Sequence, residues 1–128
     1  MNFAEYQESA RRTQNKSLSL YEMRLHALHG LSGEVGEIHS IFQKTYQGHT
    51  LDETALRLEI GDVLWFIAEI CDCYGWDLED IAVANIDKLR NRYPEQFTPE
   101  QSINRIEYRD KQPGAGARHY AQGEGHRG

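Results

Sequence analysis

At five places along this 128-residue chain, a residue able to cap a helix is followed three positions on by an acid or an amide. In such a capping box the two side chains satisfy each other's free backbone N–H groups, so the pattern marks where a helix begins. Ser19 with Glu22 and Thr50 with Glu53 fit it well, Asn2 with Glu5 loosely, and Asp77 with Asp80 more weakly. Thr98 with Gln101 adds Pro99 at the first helical position, where the missing N–H costs little. These starts predict helices over about 3–13, 20–46, 51–74, 78–92 and 99–109. Gln47-Gly-His49, Tyr74-Gly-Trp76 and Tyr93-Pro94 supply the breaks, the last because proline disfavours helix in the residue before it. No period-2 strand pattern is present. The expected fold is all-α, an antiparallel helical bundle of four to five helices joined by short connections.

Two of these helices carry the apolar pattern of a core. The second has Leu28, Leu31, Val35, Ile38 and Phe42 at alternating spacings of three and four, and the third has Leu56, Ile60, Val63, Leu64, Ile67 and Cys71. They are expected to pack on each other across a short loop.

Charge limits what such a bundle can bind. Residues 1–110 hold 11 basic and 19 acidic side chains, a balance of −8 that argues against a nucleic acid polymer as partner. Residues 111–128 are the opposite: basic, almost without apolar residues, and holding five of the 11 glycines. That stretch cannot bury enough surface to offset its chain entropy, so the organisation expected is one domain over 1–110 and a disordered Gly-rich tail over 111–128. No apolar run reaches membrane-spanning length, and residues 1–12 show no secretory signal. With only Cys71 and Cys73, two apart and on opposite sides of a helix, there is no disulfide framework and no zinc site. The expectation is a cytoplasmic protein.

The chemistry-bearing residues are acids. Glu34 and Glu37 share a face of the second helix, on the flank of its apolar stripe. Glu59 and Asp62 repeat the arrangement on the third helix, with 21 residues between the two pairs. One such pair on a helix is usually solvated surface. Two pairs flanking the seam of a helical hairpin bring four carboxylates to one edge, where mutual repulsion raises their proton affinity unless a cation intervenes. An all-oxygen set suits Mg²⁺ or Mn²⁺, often together with substrate phosphates. A carboxylate-bridged di-iron site would need Glu-x-x-His on two helices, and no acid here has His at its third following position. On the fourth helix Asn85, Lys88 and Arg92 share a face and could meet an anion, or simply complement a solvated helix end.

Taken together, Leu31-Ser-Gly-Glu-Val-Gly-Glu37, Leu58-Glu-Ile-Gly-Asp-Val-Leu-Trp65 and Asn85-Ile-Asp-Lys-Leu-Arg-Asn-Arg-Tyr-Pro94 resemble the MazG-like nucleoside triphosphate pyrophosphohydrolases. These belong to the all-α NTP pyrophosphatase superfamily, with dCTP pyrophosphatases and dimeric dUTPases as relatives. The resemblance implies hydrolysis of a (d)NTP to (d)NMP and diphosphate with Mg²⁺, by metal-activated water attacking the α-phosphate, in a role such as nucleotide-pool housecleaning. It implies Glu34, Glu37, Glu59 and Asp62 as metal ligands, with Glu37 and Glu34 also catalytic. It implies Asn85, Lys88 and Arg92 as substrate contacts, and a homodimer or homotetramer (a dimer or dimer of dimers). Many members carry a second acid directly before the first motif glutamate; this chain has Gly33 there, so any role of that acid falls to Glu34, Glu37 or a metal-bound water.

The alternative is a non-catalytic helical dimer that binds nucleotide or metal and acts through a partner. The four intact acids favour the enzyme. His26 and His29 read as ordinary helix positions, and His49 as a loop residue able to approach a ligand. Trp65 and Trp76, off the apolar stripes, are candidates to stack a base or fill a subunit interface.

Overall fold

The computed structural model describes residues 1–105; the glycine-rich segment expected to be a tail lies outside the described residues. Five helices follow in order: α1 (Phe3–Arg11), α2 (Leu20–Tyr46), α3 (Glu53–Tyr74), α4 (Leu78–Arg92) and α5 (Pro99–Asn104). No strand occurs among the described residues, so the fold is all-α as expected, and no described helix is long and apolar enough to cross a membrane. The chain forms two compact units, residues 1–82 and a second beginning at Val83.

Helix starts follow the capping chemistry with one shift. Asn2 with Glu5 and Ser19 with Glu22 make complete capping boxes. Thr50 does not cap α3. The chain keeps turning after α2, with Gly48 at φ 92° and the His49 N–H returning to the Lys44 carbonyl at 3.1 Å, and Asp52 caps α3 by accepting from the Ala55 N–H at 2.9 Å. Asp is the stronger capping residue of the two. α3 ends at Gly75, whose left-handed φ of 67° lets the Trp76 N–H reach the Cys71 carbonyl at 2.9 Å.

In the first unit α2 and α3 run antiparallel. Arg24 reaches the Cys73 carbonyl, His26 meets Glu69, Gly30 abuts Phe66, and Glu34 faces Glu59 and Asp62. The contact at Gly30 is close: a Cβ there would fall on the Phe66 ring. This pairing uses only one edge of the apolar stripe of α2, that of Leu31 and Ile38. The residues turned inward are Ala27, Leu31, Glu34, Ile38 and Ile41, whereas Leu28, Val35 and Phe42 of the expected core are exposed, as is Ile60 of α3. Small residues at 27 and 30 allow the close approach, and Leu28, Val35 and Phe42 turn outward while Leu31 and Ile38 of the same stripe stay inward. Tyr21, Leu28, Val35 and Phe42 then form an exposed apolar row with a period of seven.

The core of this unit is small: Ala10, Ala68, Cys71 and Leu78, with Tyr6, Leu64, Trp65 and Ile67 packed against it. Trp65 is committed inside the chain, donating to Thr13 Oγ1 at 2.9 Å and meeting Phe66 edge-on. Both cysteines are free and buried.

A polar clasp joins α1, α3 and the start of α4. Gln7, only 2% exposed, donates to Asp72 Oδ1 at 2.7 Å and to the Trp76 carbonyl at 3.0 Å, and its Oε1 accepts from the Leu78 N–H at 2.9 Å. Asp72 also accepts from Arg11 Nε at 2.8 Å and Gln14 Nε2 at 2.6 Å. Glu69 is fully buried, with Oε2 3.0 Å from His26 Nδ1, so His26 is more than an ordinary helix position.

In the second unit, Tyr93 lies 5.3 Å from the Phe97 ring, and Thr98 caps α5 by accepting from the Gln101 N–H at 3.2 Å. A hydrogen bond from Ser102, with Arg92 and Arg105 nearby, holds the Tyr93 phenol below its ordinary pKa.

Replacing Gln7 with Leu preserves bulk but strands the Leu78 N–H and the Trp76 carbonyl. Each buried group left unpaired costs about 1–3 kcal/mol. Urea denaturation of Gln7→Leu is expected to show a stability loss of about 2–3 kcal/mol; a change below about 0.5 kcal/mol would mean that the clasp is not structural.

Candidate functional site

The rotation of α2 places Glu34 within the helix–helix seam instead of on its flank. Glu59 and Asp62, three residues apart on α3, face it across the groove. One carboxylate oxygen from each of the three lies within 4.8 Å of the others. Glu34 and Glu59 are half-buried and Asp62 is exposed, so the cluster opens to solvent on one side. Glu37 stands outside this triangle, exposed on the next turn of α2, near enough for its charge to act on Glu34.

The electrostatics follow from crowding. Burial is the largest influence raising the Glu34 pKa above the ordinary glutamate value, followed by the charge of Asp62, a hydrogen bond with Glu59, and the charges of Glu59 and Glu37. Each of these influences favours the protonated form of Glu34 over the charged one. Among the described residues no ion pair to any of the three acids is formed. Three convergent oxygen donors with excess negative charge and an open side fit a hard divalent cation.

Tyr6 of α1 is the neighbour on the other side of Asp62. Its phenol is raised above the ordinary value by burial first and by the Asp62 charge second. With Phe3 and Leu64 it lines an apolar hollow of about 260 Å³. Toward the tip of the α2–α3 hairpin a second hollow, of about 250 Å³, is lined by Ile41, Lys44, His49, Thr50, Asp52 and Ala55. The residues expected to touch substrate, Asn85, Lys88 and Arg92, all lie on α4 in the second unit; Asn85 is exposed, Lys88 and Arg92 half-buried.

Sequence reasoning missed Tyr6, Gln7, Glu69 and Lys44. The one signal available for Glu69 is its spacing of seven from Asp62, which returns it to the same face of α3. Trp76, a candidate for stacking on a ligand, instead stacks on Tyr74 at 4.7 Å between ring centroids, with the Arg24 guanidinium 4.4 Å from the Tyr74 ring.

The raised Glu34 pKa has a definite sign in stability. A carboxyl that binds its proton more tightly folded than unfolded contributes stability at low pH, and that contribution is lost as pH rises through its folded value. Metal-free protein is therefore expected to lose stability above the ordinary glutamate range, about pH 4.3, and Glu34→Gln to remove that part of the slope. Thermal melts across pH in the presence of a chelator check this. Parallel pH profiles for variant and wild type would show that Glu34 does not carry a raised pKa.

The match to a known family falls on these elements. The family model for the MazG nucleotide pyrophosphohydrolase domain matches residues 24–97, a stretch that includes Glu34, Glu37, Glu59, Asp62, Asn85, Lys88 and Arg92. No curated protein and no solved structure matched the chain significantly. With more than half of its length matched by that model, the chain belongs to the MazG nucleotide pyrophosphohydrolase domain family.

Proposed function

We propose that this protein is a Mg²⁺-dependent nucleoside triphosphate pyrophosphohydrolase, converting (d)NTP and water to (d)NMP and diphosphate. The observation that carries the reading is the convergence of Glu34, Glu59 and Asp62 within 4.8 Å, inside the segment that the family model matches. Glu34, Glu59 and Asp62 would hold Mg²⁺, with Mn²⁺ able to substitute, and Glu37 would complete the set from the neighbouring turn. The bound ion supplies charge neutralisation on the phosphate oxygens and acidification of water.

The chain's own part in the reaction is positioning and proton handling. Water attacks the α-phosphorus in line, the bond from that phosphorus to the bridging oxygen breaks, and diphosphate leaves with the electron pair. Glu37, exposed and outside the triad, accepts the proton of the attacking water, with Glu34 as the second candidate base. By family resemblance Asn85, Lys88 and Arg92 contact the sugar or phosphates, and Lys88 and Arg92 offset charge on the departing diphosphate. Phosphorus NMR of an NTP and dNTP panel with protein and Mg²⁺ tests the reaction directly. NMP and diphosphate are expected, whereas NDP and phosphate would overturn attack at the α-phosphorus. Glu59→Gln is expected to retain its helical fold and lose at least about a hundredfold in turnover, in the range for removal of one electrostatic partner of the transition state. Wild-type activity in that variant would remove Glu59 from the site.

The exposed row Tyr21, Leu28, Val35 and Phe42 supports the assembly half of the reading. An apolar helix row repeating every seven residues is the seam along which two helices pair. We propose a homodimer, or a dimer of dimers, closed through α2. Sedimentation velocity is expected to report a dimer or larger species for wild type and a monomer for Val35→Glu; a monomeric wild type would refute the interface.

A further inference from the structure

Gly30 and Phe66 meet one turn from the acids on both helices: Gly30 precedes Glu34 by four residues on α2, and Phe66 follows Asp62 by four on α3. A Cβ at Gly30 would come to three carbons of that ring well inside the roughly 3.5–4.0 Å at which non-bonded carbons sit. A Cβ at Gly33, on the next turn, would meet nothing within 4 Å. Glycine in a helix interior is unfavourable compared with alanine, so only the first of the two has a packing reason to be glycine.

The ring is held from two sides. On one it meets the His26 imidazole, with 5.6 Å between centroids, and His26 is tied at 3.0 Å to the fully buried Glu69. On the other the Trp65 indole stands edge-on at 4.9 Å, and its Nε1 donates to Thr13 Oγ1 at 2.9 Å. Moving the ring aside therefore disturbs two neighbours that are each fixed by a hydrogen bond. A methyl group at position 30 is accommodated instead by moving α2 away from α3, and a packed interface transmits that shift to the next turn. There it carries Glu34 away from Glu59 and Asp62.

We propose that the Gly30–Phe66 contact is the spacer that sets how closely Glu34 approaches Glu59 and Asp62, and that it thereby favours a small divalent ion over a large one. Gly30 and Phe66 are positioning residues, since neither offers a ligand atom. The inference rests on the metal reading above and adds what tunes that site. Mg²⁺ demands near-octahedral oxygen ligands at about 2.0–2.1 Å, whereas Ca²⁺ takes them at about 2.3–2.6 Å in a flexible shell. A seam held close suits the first ion, and a seam wedged open suits the second.

The test is calorimetric titration of the full chain with Mg²⁺ and with Ca²⁺, together with thermal melts in a chelator. Gly30→Ala is compared with Gly33→Ala and with Gly30→Ala combined with Phe66→Leu, where the smaller side chain makes room for the added methyl. Gly30→Ala is expected to bind Mg²⁺ at least about tenfold more weakly, the scale on which groups behind a metal ligand act. Its Ca²⁺ affinity is expected to stay within about threefold of wild type, because that shell is flexible. The double variant is expected to recover most of the Mg²⁺ affinity, and Gly33→Ala to keep all of it. In the metal-free melts Gly33→Ala is expected to gain a few degrees from helix propensity, and Gly30→Ala to gain none. Wild-type Mg²⁺ affinity in Gly30→Ala, an equal loss in Gly33→Ala, or no recovery in the double variant overturns the spacer. A parallel loss of Mg²⁺ and Ca²⁺ affinity overturns its part in the choice of ion. A wild type that binds neither ion refutes the metal reading instead; the melts then decide the spacing alone, and equal gains in the two glycine variants would overturn it.

Discussion

Three carboxylates held within 4.8 Å of one another are the constraint on which the rest of the first unit turns. Like charges at that spacing repel, and the low dielectric of a half-buried groove weakens the screening that would otherwise disperse the repulsion. The chain does not relieve it with a lysine or arginine: none of the ion pairs among the described residues involves Glu34, Glu59 or Asp62. The cost shows in Glu34, whose pKa is raised by burial first and then by the neighbouring Asp62, Glu59 and Glu37. A cation binds the deprotonated carboxylate, so a carboxyl with a raised pKa makes metal affinity rise with pH.

Such a cluster needs a scaffold that does not splay apart, and the unit's apolar core is too small to supply that alone. The stiffness comes from close approach and from buried polar groups. Gly30 lets the Phe66 ring lie against the α2 backbone, one turn from Glu34 on one helix and one turn from Asp62 on the other. Farther along, Gln7 ties α1 to Asp72, to the α3–α4 turn and to the first N–H of α4. Fully satisfied, a buried amide of this kind specifies one arrangement of three elements more sharply than apolar contact does. Glu69 is the exception. One of its oxygens faces His26 at 3.0 Å, while Oε1 has no hydrogen-bond partner among the described residues. A buried group left half-satisfied lowers stability.

What could be read from the residues was set by which signals are local. Helix starts are local, because a capping box closes within four residues, and Asn2, Ser19 and Thr98 cap as expected. Thr50 misled because the turn around Gly48 carries the chain two residues further, and turn geometry is not written in the spacing of caps. The acids were legible because three residues on a helix is a contact distance, and an antiparallel hairpin brings two such pairs together. The face of α2 that meets α3 was not legible. Apolar periodicity identifies a stripe but does not say what covers it, and here Ala27 and Gly30 decided the pairing by their smallness. Gln7, Tyr6 and Glu69 act across separations of tens of residues, which no local pattern encodes.

That error in the face of α2 has a physical consequence for the protein as a whole. Had Leu28, Val35 and Phe42 packed on α3, Glu34 would have stayed on the flank, reached by solvent and farther from Glu59 and Asp62. Turning Leu28, Val35 and Phe42 outward turned the acid inward, so the exposed row and the acid cluster are two results of one rotation of one helix. An apolar row of that length is unfavourable in water. Any contact that covers it secures α2 in the orientation that gathers the carboxylates, and a contact that instead drew Leu28 and Val35 toward α3 would draw Glu34 away from its partners. An assembly through the outer face of α2 would in that sense be coupled to the carboxylate cluster on its inner face, without any residue touching both.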